Sequence, residues 1–338
     1  MPILDGSVSG LVSFKPSVNI SIDGHEATSS CFSEDGRWLA VSHTSGIIQI
    51  YRVADGGLSF TLKKQSSQKY PCLSMCFRPT EGLFSTKNVL ISVDVGGCIH
   101  HWHASSGKLI STIQEPGNEI FSVAHQDTGV LFATAGLDTK VRIYDGLTRK
   151  MSLVLDEGDG SSTTGHTNRI FALKWNLNDT DVIMSGGWDK TLQVWDLRIG
   201  KSVRSIYGPF LCGSSLDFDM NNERILTGSW RTSEQLQEWD YGTGALIRTI
   251  LWPQGMDYDK LCKIYSACYG RGMAQELIAA GGNIPNQVSL FHWESGQLVG
   301  GLQQLEKGVV SVSFNNAGTH MSVVSPDQVY IVEFQEAK

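Results

Sequence analysis

The residues Ile183-Met184-Ser185-Gly186-Gly187-Trp188-Asp189-Lys190-Thr191-Leu192-Gln193-Val194-Trp195-Asp196 form the most regular stretch of this 338-residue chain. An apolar run leads into a glycine-rich turn, and the turn leads into an alternating strand that ends in Trp-Asp. Six other segments follow the same order, and the residues that take the place of Trp195 are Tyr51, Trp102, Tyr144, Trp239, Phe291 and Val332. These positions are 41 to 52 residues apart, which predicts seven consecutive units of four short strands.

A glycine lies five residues beyond this position in five of the six units that continue past it. These glycines are Gly56, Gly107, Gly200, Gly244 and Gly296, and Arg149 stands in the remaining unit. Glycine adopts the positive φ of a tight hairpin without strain. The spacing therefore predicts a turn here, followed by the outer strand of each unit.

These repeats resemble the WD-repeat (WD40) β-propeller family, and the resemblance covers essentially the whole chain. The fourth unit carries the full signature of that family, with Gly165-His166, Ser185, Asp189 and Trp195-Asp196. In the family these side chains form a hydrogen-bonded tetrad, so the resemblance implies a structural tetrad of His166, Ser185, Asp189 and Trp195. It also implies an all-β fold, a seven-bladed propeller, as a single domain over residues 1–338.

Two segments outside the repeats have their own predicted roles. The last unit ends near Phe334, with four residues left, and therefore lacks an outer strand of its own. We predict that residues 8–14 supply the outer strand of the seventh blade and close the ring. Residues 155–165 have almost no apolar side chains and predict a mobile insertion loop, which is either a tolerated insertion or a phosphorylation site.

The composition excludes several classes of function. The chain has 27 basic and 34 acidic residues, a net charge of -7 and no basic cluster, so we expect no nucleic-acid partner. No apolar run reaches the roughly 18 residues of a membrane span, so we expect no membrane insertion. The seven cysteines are scattered, which argues against a disulfide framework and favours a reducing compartment. We therefore predict a cytoplasmic protein, and the nucleus or the cilium would fit equally well.

Motifs that would indicate catalysis are missing from the sequence. It contains no phosphate-cradling loop, no His-Glu-x-x-His helix and no nucleophile elbow, so we expect no enzymatic activity and no cofactor, although enzymatic propellers exist. His100-His101-Trp102-His103 offers candidate zinc ligands. Because side chains alternate along a strand, His101 and His103 share one face, while His100 lies on the other with Cys98. A structural zinc site needs four ligands, and we predict no metal site.

The resemblance also implies which end of the propeller contacts partners. In the family, the residue before the tight-turn Asp and a residue near the start of each inner strand face that end. The matching residues and their neighbour Arg169 are, in chain order, Phe121, Leu137, Arg169, Phe171, Trp188, Trp230 and Tyr265. Aromatic side chains at an exposed rim leave apolar area in water unless a partner covers them. We therefore predict a non-enzymatic scaffold that binds a protein or peptide partner here. In the alternative, Trp188 and Trp230 pack sideways onto neighbouring blades.

The sequence Trp195-Asp196-Leu197-Arg198 suggests a second function. It resembles the W-D-x-R box of WD-repeat substrate receptors in cullin-RING ubiquitin ligases, where the Arg lies at the opposite end and touches an adaptor. The resemblance implies an adaptor contact by Arg198, and the alternative is a solvated turn residue. With either function the predicted partners are proteins, within a multiprotein complex.

Overall fold

The computed structural model describes residues 3–4, 12–22, 24–64, 69–79, 86–252 and 262–336. These residues form seven antiparallel sheets, one with five strands and six with four. The sheets follow one another along the chain as the blades of a β-propeller, so the predicted all-β, seven-bladed fold is confirmed. Two 3-10 helices, Ala104–Ser106 and Gly272–Ala274, complete the regular structure of the described part of the chain. No helix among these residues has the length and apolar composition that crossing a membrane requires.

Two strands precede the first blade, namely β1 (Ile3–Leu4) and β2 (Val12–Ser21). The strands of blade 1 are β3 (Ala27–Phe32), β4 (Trp38–His43), β5 (Ile48–Arg52) and β6 (Leu58–Leu62). The strands of blade 2 are β7 (Cys72–Phe77), β8 (Val89–Asp94), β9 (Cys98–His103) and β10 (Lys108–Gln114). The strands of blade 3 are β11 (Ile120–His125), β12 (Leu131–Gly136), β13 (Val141–Asp145) and β14 (Met151–Leu155).

The second half of the ring repeats this plan. The strands of blade 4 are β15 (Ile170–Trp175), β16 (Val182–Gly187), β17 (Thr191–Asp196) and β18 (Lys201–Tyr207). The strands of blade 5 are β19 (Leu216–Phe218), β20 (Arg224–Gly228), β21 (Leu236–Asp240) and β22 (Leu246–Ile250). The strands of blade 6 are β23 (Lys263–Tyr269), β24 (Leu277–Asn283), β25 (Gln287–His292) and β26 (Leu298–Leu302). Blade 7 consists of β27 (Ser311–Phe314), β28 (His320–Val324), β29 (Gln328–Glu336) and β2.

The ring closes as predicted, but with other strand bounds. β2 is the outer strand of blade 7 and pairs with β29, from Val12 opposite Glu336 to Ser21 opposite Gln328. Of the predicted strand over residues 8–14, only 12–14 belong to β2, and 8–11 lie outside the described residues. The strand continues to Ser21 because β29 offers nine residues for pairing. Pro16 interrupts the strand pattern in the sequence, yet it fits a bulge on an outer strand, where its missing N–H costs no ladder bond.

The N-terminal pair Ile3–Leu4 adds a fifth strand to blade 6, which the sequence does not predict. Ile3 pairs with Leu302 and Leu4 with Gly301 of β26. The N-terminal part of the chain therefore contacts two adjacent blades, 6 and 7.

The core lies between neighbouring blades. Trp195 and Ile183 of blade 4, for example, pack with Ile143 of blade 3 in one buried cluster. Trp195 has no solvent exposure, which explains why a large ring recurs at this position of the repeat. The large apolar residues that recur once in each repeat are thus the residues that pack between neighbouring blades.

The glycine turns are also confirmed. Their φ angles are 69° at Gly56, 68° at Gly107, 71° at Gly200, 75° at Gly244 and 68° at Gly296. Each turn leads into the outer strand of its blade. Arg149, the exception in the sequence, adopts the same left-handed conformation with a φ of 59°.

The loop at residues 155–165 contacts the outer half of blade 4. Asp159 Oδ1 accepts hydrogen bonds from the backbone N–H groups of Ser161, Ser162 and Thr163, at 2.7 to 3.1 Å. Thr163 is buried, and its hydroxyl donates to Gln193 Oε1 on β17. These contacts hold the second half of the loop, and its mobility stays a prediction.

Because consecutive strands of a blade are antiparallel, successive turns lie alternately at the two ends of the ring. The turns between the second and third strands of each blade, such as residues 188–190, share one end with the connections between blades, and we call it the upper end. The turns between the third and fourth strands, such as residues 146–150 and 197–200, lie at the lower end.

Candidate functional site

The predicted tetrad of blade 4 is present. His166 Nδ1 lies 2.7 Å from Asp189 Oδ2, and His166 Nε2 lies 2.6 Å from Ser185 Oγ. Trp195 Nε1 donates to the same Ser185 oxygen at 2.7 Å. The tetrad thus ties the loop before blade 4 to the β16–β17 turn and to the outer part of the blade.

The buried Asp189 carboxylate stabilises the β16–β17 turn through hydrogen bonds. Burial alone would raise the pKa of this carboxyl, but hydrogen bonds from His166, the Thr167 N–H and Thr191 outweigh it and hold the pKa below its ordinary value. The carboxylate therefore stays charged and fully hydrogen-bonded. Its neighbour Trp188 is fixed at the upper end as a result.

In blade 3 a carboxylate takes the place of the tetrad histidine. Glu115 is buried, and its Oε1 accepts hydrogen bonds from Thr134 at 2.5 Å and from the Tyr144 hydroxyl at 2.8 Å. Arg142 donates to Glu115 Oε2 at 3.2 Å and also pairs with Asp138. Blade 3 therefore fixes its upper loop with an ion-paired network, although it lacks the His that the family signature contains.

A row of aromatic rings begins beside the tetrad. Phe121 and Phe171, on the inner strands of blades 3 and 4, stack with centroids 4.8 Å apart and an interplanar angle of 4°. The Phe171 ring lies 5.2 Å from Trp188, and Trp188 lies 6.0 Å from Phe210 at an angle of 22°. These offset contacts are favourable aromatic geometry, so the rings hold one another in place.

Arg169 and Cys212 fix the indole of Trp188 from two further sides. The Arg169 guanidinium lies over the Trp188 ring, 5.2 Å from its centroid. The indole Nε1 donates to Cys212 Sγ at 3.0 Å. Burial raises the pKa of the Cys212 thiol to about 11, so it stays protonated and unreactive.

A second aromatic pair continues the row on blades 5 and 6. Trp230 and Tyr265 have ring centroids 6.4 Å apart, and Lys263 Nζ lies 4.1 Å from the Trp230 centroid. The Trp230 backbone N–H donates to the Phe210 carbonyl at 2.9 Å, which joins this pair to the first row. The indole Nε1 of Trp230 is buried and has no hydrogen-bond partner among the described residues.

We call the upper-end group of Phe171, Trp188, Phe210, Trp230 and Tyr265 the aromatic surface. Its five rings are half-buried, so they pack on one another and still offer area to solvent. The sideways packing of Trp188 and Trp230 is therefore real, but it does not cover them.

Three residues differ from the sequence-based expectation for this surface. Phe121 is only 8 % exposed because Phe171 stacks on it, so it supports the surface instead of forming part of its face. Leu137 is half-buried in the corresponding turn of blade 3, where its N–H donates to the Glu119 carbonyl. Phe210 belongs to the surface and was missed, since it lies in the connection between blades 4 and 5, where the repeat predicts no aromatic residue.

Arg198 lies at the lower end, as its position in the repeat implies. Its side chain is 58 % exposed, but its guanidinium is already held by two carboxylates. Arg198 Nη2 lies 2.6 Å from Asp196 Oδ2 and 3.3 Å from Asp179 Oδ2. An adaptor would have to compete with these two pairs for the same donors.

The histidine run of blade 2 contributes one member of a small buried cluster. His100, Cys98 and Asp94 bring their potential ligand atoms within 4.8 Å of one another. Asp94 already pairs with His100 at 3.1 Å and with the Lys64 ammonium. Trp102 Nε1 donates to Ser92 Oγ at 2.9 Å, as Trp195 does to Ser185 in blade 4. His100, however, bonds Asp94 and Thr112 instead of this serine.

Comparison with known proteins agrees with this architecture. The family model described as "WD domain, G-beta repeat" matches residues 17–52, 107–145 and 160–196. The U3 small nucleolar RNA-associated protein 21 homolog of Schizosaccharomyces pombe is 26 % identical over 61 % of this chain and 21 % of its own length. The WD repeat-containing protein slp1 of the same yeast is 23 % identical over 72 % of this chain and 45 % of its own length.

A third relative, the COMPASS component SWD3 of Saccharomyces cerevisiae, is 23 % identical over 68 % of this chain and 69 % of its own length. The chain thus spans less than half the length of the first two relatives. The matched repeats include the tetrad of blade 4. Together, the seven blades, the tetrad and these matches show a β-propeller that carries WD repeats at residues 17–52, 107–145 and 160–196 and is similar to WD-repeat proteins.

Proposed function

We propose that this protein is a non-enzymatic scaffold that binds an extended segment of a protein partner across the aromatic surface. One observation carries the proposal: a row of half-exposed rings crosses blades 4 to 6 at one end of a rigid ring. Contiguous exposed apolar area is typical of interaction sites, and Trp, Tyr and Arg contribute most to their binding energy.

The surface is preorganised. The tetrad fixes the turn that carries Trp188, while Phe171, Phe210 and Arg169 restrict the orientation of its indole. A partner that docks here orders few side chains, so little of its binding energy is lost to conformational entropy.

The contacts also indicate the chemistry of the partner. Arg169 and Lys263 make no ion pair among the described residues, so they favour a segment with carboxylates. The unpartnered Nε1 of Trp230 would donate to a carbonyl of the partner if the ring shifted to expose it. An apolar side chain of the segment would pack on the rings between these two polar contacts.

The names of two relatives support a role within an assembly. One is a COMPASS component and the other is associated with a small nucleolar RNA. We propose by analogy that this chain works in a multiprotein complex. A cytoplasmic location stays a prediction.

The adaptor contact through Arg198 is the weaker of the two candidate functions. Asp196 and Asp179 occupy its guanidinium, whereas the cations of the aromatic surface have no such carboxylate partners among the described residues. The interaction at the upper end therefore has the stronger physical support.

A displayed random peptide library tests the proposal. We expect peptides selected on the wild-type protein to bind Trp188→Ala at least tenfold more weakly, because central aromatic residues of an interface contribute about 2 kcal/mol or more. Trp293→Ala is the matched control, since Trp293 lies at the lower end with the Arg224 guanidinium 5.1 Å from its ring centroid. Melting curves verify that both variants fold. Equal affinity of the selected peptides for wild type and Trp188→Ala would contradict the proposal.

A further inference from the structure

A basic cleft lies at the lower end between blades 2 and 3, away from the aromatic surface. Its cavity has a volume of about 410 Å³. The polar side chains that line it are Arg78, Thr86, His103, Ser106, Lys108 and Arg149. No carboxylate is present among the described lining residues, although the chain as a whole is acidic with a net charge of -7.

Arg149 reaches this cleft from an unusual backbone position. It is the one residue that replaces glycine in the turns before the outer strands, and its φ of 59° is in the left-handed region. A side chain is disfavoured there, and glycine would remove that strain. The strained turn therefore has one clear physical consequence, which is to bring a guanidinium to the cleft.

Two guanidinium groups of the cleft, those of Arg78 and Arg149, lie near enough for one charge to affect the other. Burial, and then the nearby charge of Arg149, lower the pKa of Arg78. Neither Arg149 nor Lys108 pairs with a carboxylate in the described part of the chain, and Arg149 is half-buried. Because Arg149 and Lys108 have no such partner, an anion that enters the cleft would be attracted to both charges.

We propose that this cleft binds a phosphate group. A guanidinium presents its N–H donors in a planar fork that matches phosphate oxygens, and a dianion offsets two cations at once. The Arg149 guanidinium and the Lys108 ammonium supply the charge, while the Thr86 hydroxyl provides a further donor. The cavity has room for more than one phosphate group, so the ligand is either a free polyphosphate or a phosphorylated side chain of a partner. This site is independent of the aromatic surface and of the scaffold function.

Isothermal titration with inorganic pyrophosphate and with a short phosphoserine peptide, at matched ionic strength, tests the site. We expect saturable one-to-one binding of at least one probe, weakened about tenfold or more in Arg149→Gly and in Lys108→Ala. The tighter probe identifies the source of the phosphate. Lys150→Ala is the control, because it removes the same charge from an exposed neighbour in the same turn and should bind like wild type.

Stability measurements separate binding from misfolding. Arg149→Gly should melt at a higher temperature than wild type without a ligand, because glycine relieves the turn. Added pyrophosphate or phosphopeptide should raise the melting temperature of wild type and of Lys150→Ala but not that of Arg149→Gly. The proposal is overturned if neither probe binds saturably at millimolar concentration, or if Arg149→Gly binds as tightly as wild type.

Discussion

A chain that lacks residues 1–21 is expected not to form a stable monomeric fold. This deletion removes β2, so β29 becomes an open strand edge and blade 7 loses its outer strand. It also removes apolar side chains from both interfaces of that blade. Phe14 packs in the cluster between blades 6 and 7, 6.1 Å from the Phe334 ring, and Val18 and Ile20 pack in the cluster with blade 1.

The expected loss is large compared with the stability of a folded protein. Each of these three side chains stabilises the fold by about 1 to 3 kcal/mol when buried, and a typical net stability is about 5 to 15 kcal/mol. Calorimetry and urea unfolding should therefore show a greatly reduced transition or none for the shortened chain, together with association through the open edge.

A deletion of residues 1–10 is the matched control. It removes β1 but leaves β2 in place, so we expect a melting temperature only slightly below that of the intact chain. If the chain without residues 1–21 melts as the intact protein does, the closure of the ring by β2 does not stabilise it.

Acidification from about pH 6.5 to pH 4 should also destabilise the protein strongly. Burial, followed by the charge of Arg149, lowers the pKa of His101 to about 3, and burial lowers that of His125 to about 4. In the folded state the His101 ring therefore stays neutral over this range, and the His125 ring stays neutral until the pH approaches 4. An unfolded chain protonates both rings near the ordinary histidine pKa of about 6.5. The unfolded state binds more protons, so stability falls by about 2 to 3 kcal/mol for each histidine as the pH decreases.

The variant His101→Leu tests the sign and the source of this effect. His101 is 2 % exposed, its ring nitrogens have no hydrogen-bond partners among the described residues, and it packs against Phe132, so an apolar side chain suits the site. Urea unfolding between pH 7 and pH 4 should show a shallower loss of stability in this variant than in wild type. His292→Gln, which removes a histidine from the end of β25, is the matched control. An unchanged slope in His101→Leu would contradict the assignment.

The seven-fold repeat could be predicted from the sequence because the same residue types recur wherever neighbouring blades touch. Trp195 and its counterparts are buried at those contacts, and the glycines five residues on adopt the positive φ that the turns need. The tetrad of blade 4 also has the geometry that the family signature implies. These features follow from local patterns of one or two strands.

Features that depend on distant parts of the chain were less predictable. The bounds of β2 are set by its partner β29, some 300 residues away. Pro16, a residue that is rare inside strands, breaks the local sequence pattern that would otherwise predict this strand. The burial of Phe121 follows from the ring that Phe171 places over it. Glu115 takes the place of a histidine only because Thr134, Tyr144 and Arg142 surround it, which no spacing rule reveals.

Affinity purification from the native source with quantitative mass spectrometry tests the proposed scaffold role most directly. The baits are wild type, the double variant Trp188→Ala/Trp230→Ala, Trp293→Ala and Arg198→Ala. We expect wild type, Trp293→Ala and Arg198→Ala to retain one set of proteins, and the folded double variant to lose these proteins at least tenfold. Retention of the same proteins by the double variant would contradict it, and loss with Arg198→Ala alone would point to the lower end instead.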